Sequence, residues 1–211
     1  MYLPSHFKGD PVQAAALITE NPFASLISVD DGGLPYVTHL PLHLEHRDDQ
    51  MVLLGHVAKS NPHWRYLQAR PQAVVTFLGP HAYLSPKVYP DLARVPTWNY
   101  LAVHGTVQAT LIEDPAGKDA LLKKLIGDHE PPYAEQWRGL GDDIAHKMLA
   151  GIVAFELQVT DLQCKLKLNQ HRPEARAAMQ AMYSVGSTDE QALAGWMDKL
   201  GMDSSTDSKA S

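Results

Sequence analysis

The stretch GPHAYLSPKVYPDLARVPTWNYLAVHG, residues 79–105, decides how the rest of the chain is read. It carries Pro80, Pro86, Pro90 and Pro96, too many breaks for a core element, yet it also holds Tyr83, Tyr89, Trp98 and Tyr100 with His81 and His104. Strand-like runs flank it, Ala73-Val74-Val75-Thr76-Phe77-Leu78 before and Tyr100-Leu101-Ala102-Val103 after, rich in residues that suit a pleated surface. A connection of this length without helical periodicity is either functional or disordered inside a compact domain. Its aromatic content argues against disorder. The expectation is a long aromatic loop between two strands that receives a flat ligand.

Working back toward the amino terminus, Met51 to Val57 reads as the third strand. It is followed by Ser60-Asn61-Pro62, a capping side chain and proline that open a short helix carrying Trp64 and Leu67. Two earlier strands, Ala24 to Val29 and Leu34 to Leu44, flank Asp30-Asp31-Gly32-Gly33, a turn rich in residues that accept positive φ. Pro41 predicts that the second of these is an edge strand, bulged or broken. Asp10-Pro11 starts the first helix and Asn21-Pro22 stops it.

Toward the carboxyl terminus, the fifth strand runs from Trp98 to Ile112 and Asp114-Pro115 caps a helix that stops near Gly127. A short helix over 142–150 precedes a sixth strand, Ile152 to Val159, and a seventh, Leu162 to Leu168. Two helices then follow, Pro173 to Tyr183 and Thr188 to Leu200, with Thr188 and Gln191 read as a capping box. From Met202 the chain is serine-rich and charged, so a frayed end is expected. Six or seven antiparallel strands with helices in insertions and at the ends predict a mainly β (α+β) barrel with peripheral helices. The domain is expected to span 1–185, with 186–211 as a helical tail.

The chain has 211 residues, 45% of them hydrophobic and 20% charged, enough for a substantial core. A lone cysteine, Cys164, precludes an internal disulfide and fits a reducing compartment. No apolar run reaches membrane-spanning length and the start does not read as a signal peptide, so the expectation is a cytoplasmic protein with no membrane partner. The net charge of −6 counts against direct DNA binding, which needs a basic face.

Two segments could carry binding chemistry. In Gly55-His56-Val57-Ala58-Lys59-Ser60-Asn61-Pro62-His63-Trp64-Arg65 a strand ends, a cation and a hydroxyl follow, and a helix begins. The segment reads as a phosphate site or as an ordinary solvated turn. In Lys165-Leu166-Lys167-Leu168-Asn169-Gln170-His171-Arg172, alternation puts both lysines on one strand face, where they either face solvent or grip an electron-rich ligand. Asn99, beside Trp98, can both donate to and accept from a heteroaromatic edge. The eleven histidines form no familiar metal spacing, and HExxH, GxSxG, GxGxxG and Walker patterns are missing, so no catalytic residue is assigned. Haem held by one histidine is an alternative that rests on histidine count alone.

Several motifs together resemble the PaiB family of FMN-binding negative transcriptional regulators. They are Met1-Tyr2-Leu3-Pro4-Ser5-His6-Phe7, Asn21-Pro22-Phe23-Ala24, Thr38-His39-Leu40-Pro41-Leu42, residues 55–62, Gly79 to Pro86, Val95 to Tyr100, Ile112 to Pro115 and Lys165 to Arg172. The likeness runs in order from residue 1 to about 185. Near its end the family pattern GKxKLSQNR is met with Cys164, Asn169 and His171 in place of glycine, serine and asparagine, and Lys87-Val88 follows Ser85-Pro86 where the family has a small polar residue and tryptophan.

The resemblance implies an FMN-binding split barrel, similar to pyridoxamine-phosphate oxidases and flavin reductases, and a homodimer with FMN at the subunit interface. Carried over by position, Thr38, His39, Leu40 and Pro41 run along the isoalloxazine edge. His56, Val57, Ala58, Lys59 and Ser60 take the ribityl chain and phosphate. Trp98, Asn99 and Tyr100 border the ring, and Lys165, Lys167 and Gln170 approach from the carboxyl-terminal strand, of either subunit. The functions implied are regulation or, if the protein is an enzyme, FMN-dependent oxidoreduction across a ring face lined by His81 and Tyr83.

Overall fold

The computed structural model describes residues 1–91 and 93–202. The strands are β1 (Lys8–Gly9), β2 (Phe23–Val29), β3 (Pro35–Pro41), β4 (His43–Arg47), β5 (Gln50–Ala58), β6 (Gln72–Leu84), β7 (Thr97–Ile112) and β8 (Ile152–Lys167). The helices are α1 (Pro11–Glu20), α2 (His63–Ala69), α3 (Pro115–His129), α4 (Tyr133–Arg138), α5 (Asp142–Ala150), α6 (Arg176–Ser184) and α7 (Thr188–Lys199). The fold is mixed α+β around an antiparallel eight-stranded sheet with hydrogen-bonded order β3-β2-β6-β7-β8-β5-β4, and β1 pairs with β8. The chain divides into two compact units, residues 1–17, 78–103 and 163–211 in one, and 18–77 and 104–162 in the other.

In the second unit the Asp30–Gly33 turn joins β2 to β3 with Gly33 at φ 81°, as a residue without a Cβ allows. The strand breaks at Leu42 after Pro41, which has no N–H to give; Leu42 instead donates its own to the Pro22 carbonyl at 3.0 Å. At Gly55 a Cβ would meet Leu42 Cδ2 at 2.5 Å and the Phe155 ring at 3.3 Å, so a side chain there would have to displace the buried Leu42. Helix α3, capped by Asp114 accepting from the Gly117 N–H at 2.7 Å, lays Leu121 and Leu125 on Val52, Leu54 and Ala154.

In the first unit the loop expected between Leu78 and Trp98 is shortened at its start, while the next strand begins within one residue of where it is expected. β6 continues to Leu84 and β7 begins at Thr97, leaving only 85–96 as the connection. The proline is tolerated because the alternation changes phase at Gly79-Pro80, both buried, as at a bulge, where a missing N–H costs least. Leu17 lies within 2.6 Å of where a Gly79 Cβ would stand.

Other expectations change as well. The sixth and seventh strands are one strand, β8, because exposed Thr160 and Asp161 interrupt the side-chain pattern but not the backbone ladder. Helix α4 and strand β1 were not anticipated; each is too short to show periodicity. The last capping box is built by Ser187 and Glu190 rather than Thr188 and Gln191. Ser187 Oγ accepts from the Glu190 N–H at 3.3 Å and the Glu190 carboxylate accepts from the Ser187 N–H at 2.7 Å. That box starts α7, whose Leu193, Trp196 and Met197 are buried. The frayed end falls, Met202 apart, on residues 203–211, outside the described residues.

Candidate functional site

In the second unit, β3, the end of β5 and the start of α2 are tied by one polar network. Thr38 Oγ1 accepts from Asn61 Nδ2 at 3.1 Å and lies 2.8 Å from His63 Nδ1, while Asn61 Oδ1 accepts from the His63 N–H at 3.0 Å and from the Tyr36 hydroxyl at 3.3 Å. His63 is completely buried, and burial pushes its pKa down to about 4, so the ring is neutral. Its Nε2 has no partner. A buried N–H without an acceptor is the costlier orphan, which puts the proton on Nδ1, donating to Thr38. His39 is exposed, with Nδ1 3.0 Å from Ser25 Oγ and its ring stacked on Phe23; Leu40 is core, and Pro41 stands opposite Phe23 in the β2–β3 register.

Along β5, His56 is half-buried and Val57 buried, and Ala58 ends the strand opposite Ile152. The backbone of Lys59 is held on both sides: its N–H donates to the Gly151 carbonyl at 2.8 Å and its carbonyl accepts from Trp64 Nε1 at 3.1 Å. The Lys59 and Ser60 side chains are exposed. A cation and a hydroxyl thus stand on a fixed backbone with their polar ends in water, an arrangement suited to a phosphate.

In the first unit the two lysines of β8 do not point freely into solvent. Lys165 is buried and donates to the Tyr2 carbonyl at 3.0 Å; Lys167 donates to Thr97 Oγ1 at 2.6 Å and to the Trp98 carbonyl. Their ammonium groups lie 5.1 and 5.7 Å from the centre of the Tyr100 ring. Burial, and then the charge of Lys165, lower the pKa of Lys167. Next to this cluster Trp98 is 54% exposed, within ring-contact distance of Tyr83 and His81. Asn99 points the other way: it is fully buried, Nδ2 donates to the Tyr183 hydroxyl at 3.1 Å, and Oδ1 is without a partner. Gln170 closes the turn after β8, accepting from the Leu168 N–H at 2.9 Å and donating to the Leu166 carbonyl.

The first unit therefore brings together Trp98, Tyr100, Lys165 and Lys167, and the second Thr38 with the Asn61-His63 corner next to Lys59 and Ser60. Sequence reading missed Asn61 and His63 as the residues that hold Thr38, though His63 directly after Pro62 at the helix start was a signal. It also missed Tyr2 and Thr97, whose link to the lysines leaves no local trace. Among the described residues no three His, Cys, Asp or Glu side chains are grouped to hold a metal ion, and no helix is long and apolar enough to cross a membrane.

Residues 1–161 match the family described as "Putative FMN-binding domain". The chain is 36% identical over 178 residues to the protease synthase and sporulation protein PAI 2 of Bacillus subtilis (strain 168), covering 82% of this chain and 84% of that protein. Two solved structures share the fold. The FAD and haem binding protein of Mycobacterium smegmatis has a TM-score of 0.56 at 20% identity, over 76% of this chain and 72% of that one. The flavocytochrome Anf3 of Azotobacter vinelandii has a TM-score of 0.56 at 18% identity, over 76% and 68%. The chain belongs to the PaiB-type family of FMN-binding domains, split barrels for which the cofactor is FMN.

Proposed function

We propose that two copies of the chain hold FMN between them, with Lys59 and Ser60 of one copy on the phosphate and the Trp98, Tyr100, Lys165 and Lys167 face of the other against the isoalloxazine ring. The observation that carries this reading is the pair of lysines on the Tyr100 ring beside exposed Trp98 and Tyr83. FMN has a phosphate dianion at one end and, at the other, a flat ring whose N1–C2 carbonyl edge becomes negative on reduction. The exposed cation and hydroxyl after β5 suit the first, and an aromatic surface with two half-buried to buried ammonium groups suits the second. The donor set fits the cofactor.

When bound, FMN supplies one- and two-electron transfer. The chain's own residues do the rest. Lys59, its backbone pinned to Gly151 and Trp64, offers a charge without first having to order a loop. The neutral His63 holds Thr38, and through it β3, in a single register beside the same corner. Lys167 carries a positive charge on the face proposed for the ring, and Gln170 keeps the end of β8 from unravelling. Buried Asn99 supports that face from beneath.

Titrating purified protein with FMN tests the reading: the expected result is saturable binding with quenched flavin fluorescence and dimers in solution. Lys59→Ala is expected to raise the Kd for FMN at least about tenfold, the scale of one charge-assisted contact to phosphate. Unchanged affinity would remove Lys59 from the phosphate site, and a Soret band in the purified protein would favour haem instead.

A second reading, a regulator that senses flavin without catalysis, is favoured by the likeness to a protein named for protease synthesis and sporulation. The net charge of −6 weighs against grip on a DNA backbone, so the partner would be another protein in the cytoplasm. Sequence-preferring duplex binding with steep salt dependence would overturn that view of the partner.

A further inference from the structure

Helices α3, α4 and α5 stand over the β5–β8 pair in the second unit and border an open cleft of about 460 Å³. Leu122, Ile126, Trp137, Met148 and Ile152 make its walls, and the polar groups on its lining are His56, Tyr133 and Lys147. This is the size and composition of a small-molecule site, mostly apolar with a few polar groups. The Trp137 indole N–H is spent on Asp119 Oδ1 at 2.8 Å, so the tryptophan contributes ring surface.

His56 is the informative residue. Its Nδ1 is buried with no partner, so Nε2 is the nitrogen left to meet an occupant. An orphaned lone pair costs less than an orphaned N–H, which puts the proton on Nε2 and makes it a donor. Burial also lowers the pKa of His56, keeping the ring neutral at pH 7. Lys147 can only donate. With the Tyr133 hydroxyl able to donate as well as accept, these two donors on a mostly apolar lining suit an acceptor-rich, negatively charged head on an apolar body.

We propose that this cavity binds a small organic anion, an aromatic or branched carboxylate, with its carboxylate between Lys147 and His56 Nε2 and its apolar body against Leu122, Trp137 and Met148. The occupant is distinct from FMN, and the cavity is the chain's substrate or effector site. Its position continues from the FMN corner through the backbone, since Gly151, on the cavity lining, accepts from the Lys59 N–H. The inference rests on the FMN reading above, which places the flavin phosphate at the Lys59 side chain outside the cavity, and it gives His56, which the family resemblance assigns to the ribityl chain, to the cavity instead.

The test uses the FMN-loaded full chain and 2-naphthoate as probe, with the uncharged 2-naphthamide as control, both followed by calorimetry. Flavin retention is followed separately by its fluorescence. The expected result is one naphthoate per chain with FMN retained. Lys147→Met should raise the naphthoate Kd about tenfold and leave the naphthamide Kd unchanged, as loss of one charge-assisted contact requires. Leu122→Trp, which fills the cavity, should abolish binding of both probes. No binding to the wild-type chain, equal naphthoate affinity in Lys147→Met, or release of FMN by naphthoate would each overturn the proposal. FMN titration of the same proteins keeps its failure separate from failure of the flavin site.

Discussion

Lys165 donates to the backbone carbonyl of Tyr2 at 3.0 Å while its ammonium stands 5.1 Å from the centre of the Tyr100 ring. Lys167, one pleat further along β8, reaches the same ring from 5.7 Å and donates to Thr97. Two like charges one pleat apart repel, and the fold offsets this by giving each its own oxygen acceptor and a shared electron-rich ring.

Removing one of these charges should therefore be read in the flavin. Lys167→Met is expected to lower the midpoint potential of bound FMN and weaken FMN binding by about five- to tenfold, since an adjacent cation favours the anionic reduced ring. Lys167→Arg should keep most of the potential. Spectroelectrochemical titration of the wild type and both variants checks this; a potential that does not move would separate Lys167 from the ring.

Buried His63 makes stability depend on pH. Its folded pKa, about 4, lies below the ordinary 6.5, so the folded state refuses a proton that the unfolded chain accepts. The folded state is unaffected above about 6.5 and loses stability as pH falls from there toward 4. His63→Asn retains a donor for Thr38 without a titrating ring. Its stability relative to the wild type, measured by urea unfolding at pH 7.5 and 5.0, is expected to improve at the lower pH; a pH-independent difference would contradict the assignment.

The thiol of Cys164 should be inert in the native protein. It is 3% exposed, and burial, followed by the nearby charge of Asp10, pushes its pKa up to about 11. Ellman's reagent is expected to titrate almost no thiol in the folded chain and one per chain in denaturant; rapid native reaction would show that the β1–β8 end opens.

Gly55→Ala should cost about 1–3 kcal/mol of stability, because the new methyl would stand 2.5 Å from Leu42 Cδ2 and 3.3 Å from the Phe155 ring, and the buried Leu42 must shift to make room. Thermal or denaturant unfolding measures it. An unchanged midpoint would mean that Leu42, next to the break in the strand, moves freely.

Much of the architecture could be read from neighbouring residues. Asp10, Asp114 and the Asp30–Gly33 turn act within four positions of themselves, and each is found where the spacing puts it. The break at Pro41 follows from one missing N–H. The misreadings share a cause. The loop before Trp98 starts six residues later than the prolines suggest, because the burial alternation changes phase at Gly79-Pro80 and the strand runs on to Leu84. β8 was cut in two because polar Thr160 and Asp161 change the side-chain pattern, while the ladder that defines a strand is made by backbone.

The sequence by itself determined the family, the antiparallel barrel with its helices, and the short list of residues from which a flavin site would be drawn. Those depend on motifs and on spacings of a few positions. Only the tertiary structure decided that Lys165 and Lys167 share Tyr100, that Asn99 faces the core, that His63 holds Thr38, and that three helices border a cleft beside His56. The carbonyl that Lys165 uses lies 163 residues away at Tyr2, and the Tyr183 that fixes Asn99 is 84 residues away. Contacts at such separations are set by how strands and helices close on one another, and no local pattern encodes them.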